Sequence, residues 1–252
     1  MLRFFRRLRI LFLERNQTRK YTLYALGEIA LVVIGILIAL QINNWNEYQK
    51  DRRLENEYLE RILDDLRTDS VYLIQRVQLA KEEQEFFYVL IHDMYKVQEN
   101  VEDYKDLITA SRWDASDLIL RNRTFAEMTS SGSLSLISDR VTKEAIIEYY
   151  RRYEIIAAHI SEMNQTSIES YQHFLPNLTK YFRVMSKLYD EDRMFESREW
   201  AFINDPNSPD FLRMEGIAGF YSYKQSVFAN YYLELQQLCS DLVDRISSHI
   251  KK

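Results

Sequence analysis

Four histidines, His92, His159, His173 and His249, are the first residues to test for metal or acid–base chemistry. Metal sites inside helical bundles use Glu-x-x-His pairs, because three-residue spacing puts both ligands on one helix face. None of the four has a glutamate three positions before it. His159 with Glu162, and Glu169 with His173, do share helix faces, at spacings that ordinary surface pairing also uses. No metal site is expected. Cys239 is the only cysteine, so neither an internal disulfide nor a multi-cysteine metal site can form within the chain. A small apolar residue on a helix face is the expected role, with a free reactive thiol as the alternative. Walker, GxGxxG, GxSxG and HExxH patterns are all absent.

Two further groups of residues could do chemistry. The run Thr129-Ser130-Ser131-Gly132-Ser133 offers backbone amides that can hold an anion, and Arg121, Arg123 and Arg140 lie close in sequence. The competing reading is a capped turn whose hydroxyls satisfy backbone groups, and it is the preferred one. Tyr149, Tyr150 and Tyr153 fall within little more than one helical turn. Such a cluster can stack on a ligand, although core and rim packing is its commoner use. The expectation is no catalytic residue and no cofactor.

The elements that must carry these residues are helices. Only 5 Gly and 3 Pro occur in 252 residues, too few corners for a many-stranded sandwich or barrel. Hydrophobic residues make up 46% and charged residues 28%, a composition that excludes an intrinsically disordered chain.

Charge is uneven along the chain. Residues 1–20 carry Arg3, Arg6, Arg7, Arg9, Arg15, Arg19 and Lys20 against the single acid Glu14, although the whole chain has a net charge of −5. A basic arm before an acidic body points to nucleic acid or to a membrane, and the next segment decides. Leu23 to Ile42 is a twenty-residue run with only Glu28 and Gln41 strongly polar, about 30 Å as a helix and so about one hydrocarbon thickness. Tyr21 and Tyr24 flank one end, and Trp45 and Tyr48 the other, as interfacial aromatics do. The stretch exceeds a usual signal-peptide core, and Leu40-Gln41-Ile42-Asn43 offers no small-x-small cleavage site. It reads as an uncleaved signal anchor with its basic side in the cytoplasm. In the arm, Phe4, Phe5, Leu8, Leu11 and Phe12 recur at helical spacing opposite most of the arginines. That pattern suits an interfacial helix on anionic headgroups; on DNA the apolar face would have no purpose.

The run YTLYALGEIALVVIGILIALQINNWNE, Tyr21 to Glu47, resembles the signature of an uncharacterised bacterial, Bacteroidota-type family of single-span membrane proteins, the domain of unknown function 6090. The patch SSGSLSLISDRVTKEAIIEYY, Ser130 to Tyr150, is similar to a second part of that family, as are the basic FF-containing start and the long helical body. The resemblance implies a single-span membrane protein and supplies no activity, ligand or catalytic residue.

Within the span, Gly35 and Ala39 return to within about 20° of Glu28 at 100° per residue. Gly35-Ile-Leu-Ile-Ala39 is a small-xxx-small pattern that lets two helices approach. Glu28, Gly35 and Ala39 are therefore candidate membrane-helix packing residues. Alternatively, Glu28 snorkels to the cytoplasmic interface near Arg19 and Lys20.

Beyond the span, Leu59, Leu63, Leu66, Leu73, Val77, Ala80, Phe87, Ile91 and Met94 follow three- and four-residue steps, with Ser70 and Gln84 as polar members. That heptad-like seam predicts a long helix which, with no Gly or Pro intervening, continues out of the membrane unless Asn43-Asn44 breaks it. A short helix is expected over 116–131, ended by a left-handed cap at Gly132. Ser138 or Asp139 is placed to cap a second long helix with a stripe of Ile146, Tyr149, Tyr153, Ile156, Ile160, Met163 and Phe174, kinked at Pro176. Residues 181–192 read as helical. Pro209 is placed to start the last helix, striped by Val227, Tyr231, Leu235, Leu238, Leu242 and Ile246, with a bend expected near Gly216 and Gly219.

The expected fold is all-α: one transmembrane helix leading into an antiparallel bundle of long helices. Residues 1–20 form the cytoplasmic basic amphipathic arm, 21–44 the transmembrane signal anchor and 45–252 an extracytoplasmic, periplasmic helical bundle at the bacterial inner membrane. The expected partners are the lipid bilayer and a protein partner or a second copy, through span and bundle, with no nucleic acid. A non-catalytic interaction or sensing module fits best. The alternative is a membrane-tethered small-ligand receptor or enzyme using the Ser130–Ser138 loop and the bundle tyrosines.

Overall fold

The computed structural model of the protein describes residues 18–96, 115–173 and 202–250. Helix α1 spans Thr18–Met94, 77 residues without a break. Asn43 does not interrupt it, because its side-chain amide donates forward to Glu47 Oε1 at 3.1 Å, one turn on along the helix. The chain divides into two compact units, Met1–Glu57 and Tyr58–Lys252.

In the first unit the apolar run of α1 is bare: Leu31 is 73% exposed, and Ile29, Val32, Ile34, Ile36, Leu37, Ile38, Leu40 and Ile42 are exposed with it.

In the second unit α1 is joined by α2 (Arg123–Ser131), a 3₁₀ turn (Ser133–Leu136), α3 (Arg140–His173) and α4 (Pro209–Ile250). Each boundary has a local cause. Gly132 ends α2 at φ 76°, the left-handed cap expected from the sequence, and its N–H reaches Thr129 O. The segment expected as a tight connection closes into the 3₁₀ turn. Asp139 Oδ2 accepts both the Thr142 N–H at 2.9 Å and the Thr142 hydroxyl at 2.6 Å, which starts α3. Ser208 Oγ accepts the Phe211 N–H at 3.1 Å, so Pro209 is the first residue of α4, where its missing N–H costs nothing. α4 passes through Gly216 and Gly219 uninterrupted.

Cross-helix contacts fix the directions. Along α1 and α4, Leu66 meets Cys239, Arg76 meets Tyr232 and Glu83 meets Gln225, and just past the end of α1 Tyr95 meets Glu215, so the pair is antiparallel. Arg152 with Glu234, His159 with Tyr231 and Asn164 with Lys224 make α3 and α4 antiparallel as well. α1 and α3 therefore point the same way, and both pack on α4 in one shared core. A large core (Leu59, Ile62, Leu66, Leu73, Ile146, Tyr149, Ile156, Tyr232, Leu235 and neighbours) is followed by a smaller one around Phe87, Leu90, Phe211 and Tyr221.

Three expectations need correcting. Residues 115–122 are not helical, and α2 begins only at Arg123. Leu118 and Leu120 both enter the core while Asp117, Ile119 and Arg121 face out, an alternation that only extended backbone allows. In the α1 seam the buried polar members are Asp69 and Glu83, each one residue before the expected Ser70 and Gln84, which sit at the margin. From Leu66 and Ala80, a step of three and a step of four both reach the buried side, and the three-step residue lies nearer its centre. On α4 the buried line is Gln225, Phe228, Tyr232, Leu235, Cys239, Leu242 and Ile246, with Val227, Tyr231 and Leu238 at its edge. The arm 1–17, the Pro176 kink, Phe174 and the stretch 181–192 lie outside the described residues.

Candidate functional site

Glu28, Gly35 and Ala39 lie on one side of unbroken α1, all exposed. A side chain at Gly35 would meet nothing within 4 Å, so the small residue leaves open room beside the helix. Around the helix from that line, Ile34, Leu37, Ile38, Gln41, Ile42 and Trp45 form a second, shallow apolar face.

The serine loop is occupied with its own backbone. Thr129 Oγ1 donates to Phe125 O, Ser130 and Ser131 Oγ to Glu127 O, and Ser135 Oγ to Gly132 O, at 2.7–3.0 Å. The carboxylate beside it, Glu127, is held by the two Arg61 Nη atoms and the Tyr58 hydroxyl. Arg140 pairs with Glu144. This is the capped turn, its hydroxyls spent on backbone carbonyls.

The tyrosines are structural. Tyr149 and Tyr150 are each 1% exposed, and Tyr150 stacks on Phe125 with ring centres 4.3 Å apart. Their hydroxyls are pushed far above the ordinary tyrosine range, chiefly by burial. Cys239 is fully buried, and its thiol donates to Leu66 O at 3.2 Å; burial raises it to about 11 despite the nearby Tyr149 hydroxyl, which makes it inert. Tyr149 Oη itself makes no hydrogen bond among the described residues. His159 Nδ1 faces Tyr231 Oη at 3.3 Å, and no group of three or more His, Cys, Asp or Glu able to hold a metal occurs among the described residues. The side chain of His173 lies outside them.

What the sequence reading passed over is a polar ladder inside the second unit. Asp69, Arg76 and Glu83 recur at seven-residue spacing on the inner side of α1. Arg76 Nη2 donates to Tyr232 Oη at 3.1 Å, and Gln225 Nε2 donates to Glu83 Oε2. Burial works against the Arg76 charge, but the Tyr232 hydroxyl, Tyr72 and Glu83 outweigh it and hold the guanidinium above its ordinary range. Farther along α4 the fully buried Lys224 places Nζ 4.2 Å from the Tyr221 ring centre and donates to Asn164 Oδ1 at 3.4 Å. Asn164 Nδ2 in turn donates to Ser116 O and Asp117 Oδ1.

The ladder also holds the extended strap 115–122 in place. Both Asp69 oxygens accept the Arg121 N–H, at 3.0 and 3.2 Å. Asp65, one turn earlier, accepts the Thr124 hydroxyl at 2.6 Å. Tyr153 Oη accepts the Leu120 N–H, and Tyr150 Oη donates to Arg121 O. Asn122, at the N-cap of α2, makes no side-chain cap of its own. Two carboxylates from α1 therefore serve the amino end of α2, where negative charge is favoured. The only signal for this in the sequence is the heptad recurrence of Asp69, Arg76 and Glu83.

These observations define an all-α protein whose amino-terminal helix is long and apolar enough to cross a membrane and whose second unit is closed by a polar ladder. The model of the Family of unknown function (DUF6090) matches residues 28–198, two thirds of the chain, and the protein belongs to that family. No curated protein and no solved structure matches it.

Proposed function

We propose that the protein is a membrane-anchored helical interaction module without catalytic activity. It sits in a bacterial inner membrane with its amino terminus in the cytoplasm and its body in the periplasm, where the body engages a protein partner. One observation carries the reading: the most apolar eighteen residues of α1 have a mean hydropathy of 2.5, and none of them is buried. A helix so apolar and so bare needs a nonaqueous solvent. The basic excess of residues 1–20 supports the orientation. The serine loop and tyrosines, spent on caps and core, argue against the tethered-receptor or enzyme reading.

A second copy, or a partner's span, packs along Glu28, Gly35 and Ala39, where a carboxylate in an apolar stretch gains from a partner and the small residues admit a close helix. Photo-crosslinking from positions 35 and 39 in native membranes, followed by pull-down, tests this. A discrete crosslinked band lost in Glu28→Ala and Gly35→Leu is the expected result. Crosslinks to lipid alone, or a band unaffected by both substitutions, would overturn the packing.

A further inference from the structure

On the reading that α1 crosses a membrane, we propose that two copies of the protein pair through the seam Ile34, Ile38, Gln41 and Trp45, parallel and in register, with the two Gln41 amides hydrogen-bonded to each other. Alternate steps of four and three from Glu55 through Leu59, Ile62 and Leu66 to Met94 land on a buried residue every time, except at the half-buried Arg76. That is a seven-residue repeat, the pattern of helices that wind around one another. Carried back from Glu55, the same steps reach Arg52, Tyr48, Trp45, Gln41, Ile38 and Ile34 without a slip, along one unbroken helix. Here the repeat is bare: Ile34 and Ile38 are each 56% exposed and Trp45 is 62% exposed. The same residues line the shallow apolar face of α1. The line that other helices cover in the second unit therefore runs on, in register, with nothing over it.

Apolar side chains in lipid need no protein partner, but Gln41 does. Its neighbours on this face are Ile34, Leu37, Ile38, Ile42 and Trp45, so its amide stands on an apolar surface. A primary amide is donor and acceptor at once, and so complements itself. Copies of one chain insert in the same orientation, so a pair of them is parallel, and residues facing the two-fold axis meet their own counterparts. Each Gln41 Nε2 can then donate to the other copy's Oε1, and one polar residue in a repeat fixes the register of the two helices. Charge does not oppose the pair farther along. Arg52 is turned to its own chain, pairing with Glu55 at 2.6 Å and lying 5.9 Å from the Tyr48 ring centre. Gly35 and Ala39 each lie about 100° around the helix from the seam residue before them. The Glu28, Gly35 and Ala39 line is thus a separate face and remains for a partner's span.

The test is disulfide formation in carbonate-washed native membranes, between two differently tagged full-length copies carrying one added cysteine at a position from 33 to 45, oxidised with iodine. The unsubstituted chain, whose Cys239 is buried, sets the background. Product bearing both tags should peak at 34, 38 and 45 and fall to background at 36, 40 and 43. With Ile38→Cys, adding Gln41→Leu should lower the product about threefold, and Gln41→Asn should keep it. Release of the chain by carbonate would remove the span itself and the pair with it. Retained chain with an even yield at all positions, a peak at 35 and 39 instead, or a yield at 38 untouched by Gln41→Leu would overturn the seam alone.

Discussion

Arg76 and Tyr232 meet twice: Nη2 donates to the phenol oxygen at 3.1 Å, and the guanidinium carbon lies 5.3 Å from the centre of the same ring. The contact pins α1 against α4 at the middle of the ladder, with Asp69 and Glu83 one heptad to either side. Tyr232→Phe keeps the ring and removes the acceptor, so it should cost about 1 kcal/mol. Arg76→Met removes the cation that Glu83 faces and the donor to Tyr232, and should cost about 2 kcal/mol. Denaturant titration of the two single variants and the double variant should give a coupling of about 1 kcal/mol. Strict additivity would mean that the two side chains act independently.

Gly132 ends α2 at φ 76°, and a methyl group added there would meet nothing within 4 Å. The cost of Gly132→Ala is therefore backbone strain alone, about 1 kcal/mol. Gly132→Asn should cost less, because asparagine tolerates the left-handed region. Equal losses for the two variants in thermal unfolding would contradict the cap.

Asp139 starts α3, and hydrogen bonds from the Thr142 hydroxyl and N–H hold its carboxyl below the ordinary range. The stabilisation is then fully present above the ordinary carboxylate value and is lost as pH falls through the lowered one. Asp139→Ala should lower Tm at neutral pH, and its difference from wild type should vanish in strong acid. A difference that persists there would show that the cap does not depend on the charge.

Leu66 is fully buried in the large core, and Leu37 is 54% exposed in the apolar run. Leu66→Ala should cost the body about 3 kcal/mol through the cavity it leaves. Leu37→Ala should leave the body's urea midpoint unchanged in detergent. A matching loss at Leu37 would mean that the apolar run is part of the folded core.

Much of this fold was legible because few residue types punctuate it. Gly132, Asp139 and Pro209 each mark a helix end by a local rule, and each stands where that rule puts it. The apolar run declared itself by length. The ladder did not, because Asp69 and Glu83 read as surface acids until α4 and the strap bring Tyr232, Gln225 and the Arg121 amide to that side of α1. The strap escaped for a related reason. Its backbone hydrogen bonds go to Asp69, Tyr150, Tyr153 and Asn164, between 29 and 52 residues away, and no local pattern reports partners at that distance.

The central claim is that α1 crosses a membrane and carries the body to the far side from the basic arm. Fusing alkaline phosphatase, active only outside the cytoplasm, and green fluorescent protein, bright only inside it, to the carboxy terminus in parallel measures this directly. The account predicts an active phosphatase and a dark fluorescent fusion, both retained in membranes after carbonate washing. A bright fluorescent fusion with inactive phosphatase, or release of the chain by carbonate, would contradict it.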